Sequence, residues 1–405
     1  MTLLSDTFFL KRASGYSAPL NGNERLPVVY GDLTDGTNGI WRLPCLKSTD
    51  DVYCFAGHEV MADTPEPYPS VVGLVIYEDG QALDPSQYVF NAANNYEGHG
   101  VIATIDFATP KSNAAITAKG RGKPITPGSA TLMDNIIDIV NDFLTVENDF
   151  TSSLFASSYK ARASQIFAAQ SYRAAGVIDQ DGVILDIIAA MMASFLGSAY
   201  LNGSGNLVLD IDAGTISQSG AAGFIRKSDT YLVEARQRLV NIINQCPAHY
   251  AYSYARGEFR SETNDSAHAD AASQGIYGVR EPNTPYQFYW CRDLANVQKI
   301  QDIIVAKFKH PVYEIEIADI TMKHPQIDAG DVFVYSLDSL YDRSGFQLLN
   351  HFWRCISAAP DFQRGKINFR ALQTNFYLVF AYLADGSHLA DGSITAGNER
   401  DVTAY

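Results

Sequence analysis

Between Trp41 and Gly120 the chain breaks into strand-length apolar runs separated by turn residues, and this spacing limits the fold more than any other feature. Val71-Val-Gly-Leu-Val-Ile-Tyr77 is the strongest run, and Glu78-Asp-Gly80 predicts a tight turn after it. Gln87-Tyr-Val-Phe90, the alternating Val101-Ile-Ala-Thr-Ile-Asp-Phe107 and Ala114-Ala-Ile-Thr-Ala118 follow, with a loop over 91–100. Leu26-Pro-Val-Val-Tyr30 opens the region, and Pro27 places it at a sheet edge or a strand start. Short strands at regular spacing predict a barrel or a sandwich. Residues 1–25 read as a polar arm.

Lys119-Gly-Arg-Gly-Lys-Pro124 is basic and glycine-rich. A phosphate loop needs G-x-x-x-x-G-K-[ST], and this stretch ends in Lys-Pro, so it reads as a linker. Residues 129–197 turn helical. Leu132, Ile136, Val140 and Phe143 recur at helix spacing, with Thr131 and Asp134 as a cap. Ser158–Gln170 predicts a second helix, and Val183–Leu196 a third whose Met191 and Met192 belong to a core face. A hairpin follows, with its turn over Asn202–Asn206.

The stretch from Val233 to Tyr335 carries the second structural unit. Val233–Asn241 reads as helical, then Tyr250, Tyr252 and Tyr254 alternate along a strand. A polar loop spans Glu262–Asp270, and Gln274-Gly-Ile-Tyr-Gly278 is a second short segment. A helix is expected over Asp293–Lys309, and a third strand over Val312–Ile317. Asp328-Ala-Gly-Asp331 forms a turn whose Gly330 needs a positive φ, and Val332–Tyr335 follows. Phe346–Ile356 and Lys366–Leu372 predict further strands, and a six-residue repeat over 383–394 reads as turns in a tail.

The chain of 405 residues exceeds one ordinary core. Its net charge of −15 argues against gripping phosphate backbones. The five cysteines are scattered without a C-x-x-C and read as buried thiols. No apolar run reaches membrane-spanning length, and Met1-Thr-Leu-Leu-Ser-Asp6 lacks a basic start and a long apolar core, so cytoplasmic synthesis and no stable membrane insertion are expected.

Chemistry-bearing patterns are sparse. None of the eight histidines forms H-x-H or H-E-x-x-H, and His58-Glu59 reads as a surface pair. Asp179-Gln-Asp-Gly182 begins like a calcium loop but lacks its later acid. Asp210 and Asp212 point to one side of a strand and read as a solvated pair. The expectation is no catalytic residue, no cofactor and no metal site, and a protein that is not an enzyme.

The order of these features resembles the tail hub, or baseplate hub, proteins of tailed bacteriophages. The resemblance rests on Leu26-Pro-Val-Val-Tyr-Gly-Asp32, the Val-rich strand closed by Glu-Asp-Gly, Val101–Phe107 before the Lys-Gly-Arg-Gly stretch, and Gly205-Asn-Leu-Val-Leu-Asp210. It continues through Leu239-Val-Asn241, the tyrosine strand, Ser273–Gly278 and Ala329-Gly-Asp-Val332, and covers about residues 25–340. It implies an α+β multidomain chain: a 1–25 arm, two tail-tube-like β-barrel or sandwich domains at 26–124 and 227–340, an α/β domain at 125–226 between them, and a 341–405 β extension. The role implied is a structural virion protein at the tail tip, which joins a six-fold tail tube to a three-fold tip around a DNA channel. The partners implied are other copies of itself, as a trimer or a hexamer, a distal tail or tail tube protein, and central spike or fibre proteins. DNA or a tape measure protein would pass through without tight binding. A hexameric distal tail ring protein fits the same residues. So, from another class, does a carbohydrate-active or receptor-binding protein using Asp210, Asp212 or the tyrosines against a sugar.

Overall fold

The computed structural model describes residues 7–8, 26–34, 43–49, 51–61, 74–95, 101–111, 115–202, 205–212, 221–226, 230–238, 242–319, 324–327, 330–341, 347–361 and 363–377. The fold is mixed α+β and mostly sheet. The chain divides into two compact units, Met1–Ala213 with Asn244–Val305, and Gly214–Ile243 with Ala306–Tyr405.

In the first unit two four-stranded sheets face one core. One sheet runs in the order Leu43–Pro44, Ile116–Lys119, Val75–Glu78, Gln81–Ala82, and the other in the order Leu46–Lys47, Val52–Ala56, Val101–Phe107, Tyr88–Asn95. Phe55, Ile76, Ala103, Ile105 and Ala118 lie in the shared apolar cluster. The expected turn after Val75–Glu78 has φ of 46° at Asp79 and 89° at Gly80, the left-handed pair that suits the twist of a two-residue hairpin. The Leu26–Tyr30 run supplies the strand Val28–Tyr30, which pairs with Gly176–Ile178.

The stretch 119–124 is not a loose linker. Gly122 donates its N–H to the Gly31 carbonyl at 2.8 Å, and Lys123 donates to the Val29 carbonyl at 3.0 Å. A Cβ at Gly122 would fall 2.5 Å from the Val29 carbonyl oxygen, so the two backbones touch because this residue has no side chain.

The helices of this unit are Ile136–Asp142, Ser157–Ala169 and Ile184–Ala193, with Ala271–Tyr277 and most of Leu294–Phe308 contributed from later in the chain. The first is capped by Asn135, whose side chain accepts the Ile137 N–H at 3.0 Å, rather than by Thr131 with Asp134. Met191 and Met192 are buried, with Ile184, Ile188 and Phe195. The hairpin Gly197–Leu201 with Leu207–Ile211 forms where expected. The short segment Gln274–Gly278 closes the helix Ala271–Tyr277, whose first turn is capped by Asp270 through the Ser273 N–H at 2.7 Å.

The second unit is built on a single six-stranded sheet. Its order is Ala221–Phe224, Val332–Tyr341, Gln347–Asp361, Lys366–Tyr377, Val312–Asp319, Thr230–Arg238. The segment read as helical from Val233 is therefore an edge strand, paired antiparallel with Val312–Asp319. Glu, Ala, Arg and Gln favour helix locally, and pairing with a strand distant in sequence outweighs that preference. Strands on both sides of residue 340 share this sheet, because Val332–Tyr341 and Gln347–Asp361 pair directly.

The two edge strands are consecutive in the chain, with five residues between Phe224 and Thr230. A flat six-stranded sheet would set its edges about 24 Å apart. The link reaches at most about 21 Å. The sheet is therefore curled. One apolar cluster inside the curl collects Ile315, Ile317, Phe333, Tyr335, Trp353, Cys355, Phe369 and Ala371, with Val233 packed against it. The period-2 spacing on each strand is what a sheet burying one face on itself requires. Gly330, just before the Val332 strand, has φ 90°, as the turn requires.

Of the 1–25 arm only Thr7–Phe8 is described, paired with Gly182–Val183. His99 and the 383–394 repeat lie outside the described residues. No helix among the described residues is long and apolar enough to cross a membrane.

Candidate functional site

Two arrangements in the first unit stand out. The first is a buried ionic cluster. Lys123 Nζ donates to Asp142 Oδ2 at 2.6 Å and to Glu147 Oε1 at 3.0 Å, and the Tyr30 hydroxyl donates to the same Asp142 oxygen at 2.7 Å. Burial, then the two carboxylates, push the Tyr30 phenol well above its ordinary pKa, so it stays a donor. Asp142 and Glu147 occupy the end of the Ile136 helix and the π-turn Phe143–Glu147 that continues it. The cluster therefore pins that helix to the strand Val28–Tyr30.

His58 is buried beside it and is not a surface residue. Its Nε2 accepts the Val29 N–H at 2.8 Å, so Nδ1 carries the proton and donates to the Glu59 carbonyl at 2.6 Å. With both ring nitrogens used on backbone, His58 is a structural bracket.

The second arrangement is an aromatic face on the three-stranded sheet Glu258–Thr263, Ala248–Ser253, Tyr286–Phe288. Ala251, in the middle strand, has a left-handed φ of 62° and is fully buried. That conformation costs an L-residue about 1–2 kcal/mol. Side-chain alternation slips there, and His249 and Tyr252, three positions apart, both reach the Phe259 ring, at 5.9 and 5.2 Å between centroids. Tyr289 completes the group, 4.7 Å from Phe259 and 5.0 Å from Tyr252. The rings are mutually tilted, and Tyr289 is 37% exposed. Ala248, Ala251, Ser253 and Phe288 of the same sheet are buried.

Tyr252 stands in the aromatic group and meets the Tyr254 ring edge-on at 5.2 Å between centroids. Tyr254 also packs against the apolar core, and its hydroxyl accepts the Val177 N–H at 2.9 Å. Phe259 and Tyr289 were not singled out in the sequence, and nothing local marks them, because they join Tyr252 only through sheet pairing and the turn after Phe288. Burial raises the Tyr252 and Tyr254 hydroxyl pKa values; Tyr289 and then Asp179 add to the effect at Tyr252, and the Arg292 guanidinium opposes it at Tyr254. Protein packed around the Asp179 carboxyl raises its own pKa.

Asp210 sits in the strand Leu207–Ile211 and is buried, while Asp212 falls one residue beyond it. All five cysteines are buried free thiols, and burial lifts the Cys246 and Cys291 thiols to about 12. Among the described residues no group of three or more His, Cys, Asp or Glu is placed to hold a metal ion.

No family model matches the chain, and no curated protein matches it. Among solved structures it is similar to the tail protein from Neisseria meningitidis MC58, with a TM-score of 0.33, 10% identity, and coverage of 75% of this chain and 96% of that one. It is also similar to prophage tail protein gp18 from Listeria monocytogenes EGD-e, with a TM-score of 0.32, 9% identity, and coverage of 87% of this chain and 88% of that one.

Proposed function

We propose that this chain is a structural protein of a bacteriophage tail, acting as the hub at the tail tip. The observation that carries the reading is the curled six-stranded sheet of the second unit, with one apolar core inside and consecutive edge strands joined by five residues. A tail-tube-like β domain, which the order of sequence motifs implies, needs such a sheet. The two-sheet core of the first unit supplies a second β module, and the helices between Ile136 and Ala193 supply the α/β part.

In this role the chain is a virion component and not an enzyme. Copies of it form a trimer that joins a six-fold tube to a three-fold tip, with a distal tail or tube protein above and a spike or fibre below. The excess of carboxylates, −15 per chain, suits a channel through which DNA passes without sticking.

Native mass measurement of the purified protein, alone and with a tail tube protein, tests the reading. A trimer supports the hub, and a hexamer supports a distal tail ring instead. A strict monomer that also fails to join tube protein ends both.

A further inference from the structure

We infer that the side chains of Lys123 and Asp142 condense to an intramolecular amide, with Glu147 as the proton carrier. The inference does not rest on the tail reading.

The amine and both acids meet largely out of water. Lys123 Nζ lies 2.6 Å from Asp142 Oδ2 and 3.0 Å from Glu147 Oε1, and all three side chains are mostly buried. The Tyr30 ring stands 5.9 Å from Nζ, and Ile139, Val140, Phe143 and Leu144 on the same turns as the acids are buried. An ion pair in such a place gains little net stability, because desolvation offsets the attraction. Condensation replaces two buried charges with one neutral amide.

The step needs no reagent from outside. A proton passes from Nζ to Asp142 Oδ2 along the 2.6 Å hydrogen bond, which leaves a neutral amine beside a neutral acid. Asp142 Cγ lies one bond behind Oδ2, within reach of a flexible lysine stem. The Nζ lone pair forms the new N–C bond. Glu147, in contact with Nζ, takes a second proton from the nitrogen and passes it to Oδ2. The Cγ–Oδ2 bond then breaks, and Oδ2 departs as water with both protons from Nζ. Glu147 ends as it began, and nothing is oxidised or reduced. The Tyr30 hydroxyl donates to Oδ2 at 2.7 Å and so stabilises electron density that gathers there as the bond breaks.

The structure describes the cluster before reaction, with both hydrogen bonds to Nζ made. The stability of the ion pair is a property of that unlinked chain. The amide would tie the end of the helix Ile136–Asp142 to Lys123, whose backbone N–H is already bonded to Val29.

The test holds the full chain folded at neutral pH, then denatures and digests it for mass spectrometry. Trypsin cuts after Arg121 and Lys160, and Pro124 blocks the cut after Lys123, so residues 122–160 leave as one peptide. Cyanogen bromide cuts that peptide after Met133, between the two reacting residues. The expected parent peptide is lighter than its sequence by one water, and its two fragments stay joined. Cyclisation of an aspartate onto its own backbone also loses water, but it lets the fragments part. Glu147→Gln keeps Lys123 and Asp142 and should slow the linkage at least about a hundredfold, as loss of a general acid–base does. Circular dichroism establishes that the variant is folded. If it is not, Lys123→Arg replaces it, and its peptide should keep the full mass. A folded parent at full mass, water loss with separable fragments, or undiminished water loss in the folded variant would each overturn the inference.

Discussion

The Thr230 and Tyr335 hydroxyls stand 3.3 Å apart, although their strands are four places apart in the six-stranded sheet. The contact runs across the inside of the curl. Tyr335 is buried, and its carbonyl accepts the Trp353 indole N–H at 3.1 Å. The hydroxyl pair and the indole thus link strands at both sides of the sheet.

Tyr335→Phe keeps the ring and loses the hydroxyl, so it should lower stability by about 0.5–1.5 kcal/mol. Tyr335→Ala empties the core and should cost about 3–5 kcal/mol. Urea denaturation of both, with Thr230→Val added in a double-mutant cycle, measures the coupling. Strict additivity of Thr230→Val and Tyr335→Phe would show that the contact contributes nothing.

Ala251 holds its left-handed backbone with no exposed surface. Ala251→Gly removes the steric penalty but adds chain entropy, so stability should stay level or rise by up to about 1 kcal/mol. Ala251→Val combines a β-branched side chain at positive φ with overpacking and should cost about 2 kcal/mol or more. Melting temperatures of the pair decide: a Val variant as stable as the Gly variant would contradict the strained geometry.

Lys123 faces two carboxylates with 14% of its side chain exposed, against 9% for Asp142 and 7% for Glu147. Lys123→Met leaves both acids buried near each other and should destabilise by about 3 kcal/mol. Adding Asp142→Asn and Glu147→Gln should recover much of that loss, because the buried charges go with their partner. Failure of the triple variant to recover would place the cost in packing instead.

Burial raises the Asp106 carboxyl above its ordinary 3.8, against smaller opposing effects of hydrogen bonds from Thr104 and Asn91. A raised folded-state pKa means that the folded chain holds this proton more tightly than the unfolded chain. The stability it contributes is therefore complete below 3.8 and lost as pH rises through the folded value. Asp106→Asn cannot ionise, so its melting temperature relative to the parent should be higher at pH 7 than at pH 3. A difference that does not change with pH would remove Asp106 from the pH response.

The sequence alone determined the elements whose pattern is local. The end of the run to Tyr77, described as the strand Val75–Glu78, with its Glu-Asp-Gly turn, the alternation of Val101–Phe107, the apolar stripe from Ile184 to Phe195 and the positive φ at Gly330 follow from side-chain period and turn chemistry, and the fold keeps each of them; residues 71–73 lie outside the described residues. Tertiary structure decided whatever depends on a distant partner. Val233 onward has helix-favouring residues, yet Val312–Asp319 pairs with it antiparallel through Arg238, and it becomes a strand. Lys119–Pro124 has the composition of a linker, yet Gly122 allows contact with Val29 and Lys123 finds two acids in a helix and its π-turn. The aromatic face was legible only at Tyr252. Phe259 and Tyr289 reach it through pairing, and the slip at Ala251 that brings in His249 has no marker in a row of alternating tyrosines. Local periodicity is written in neighbours along the chain, whereas a site is written in neighbours across space.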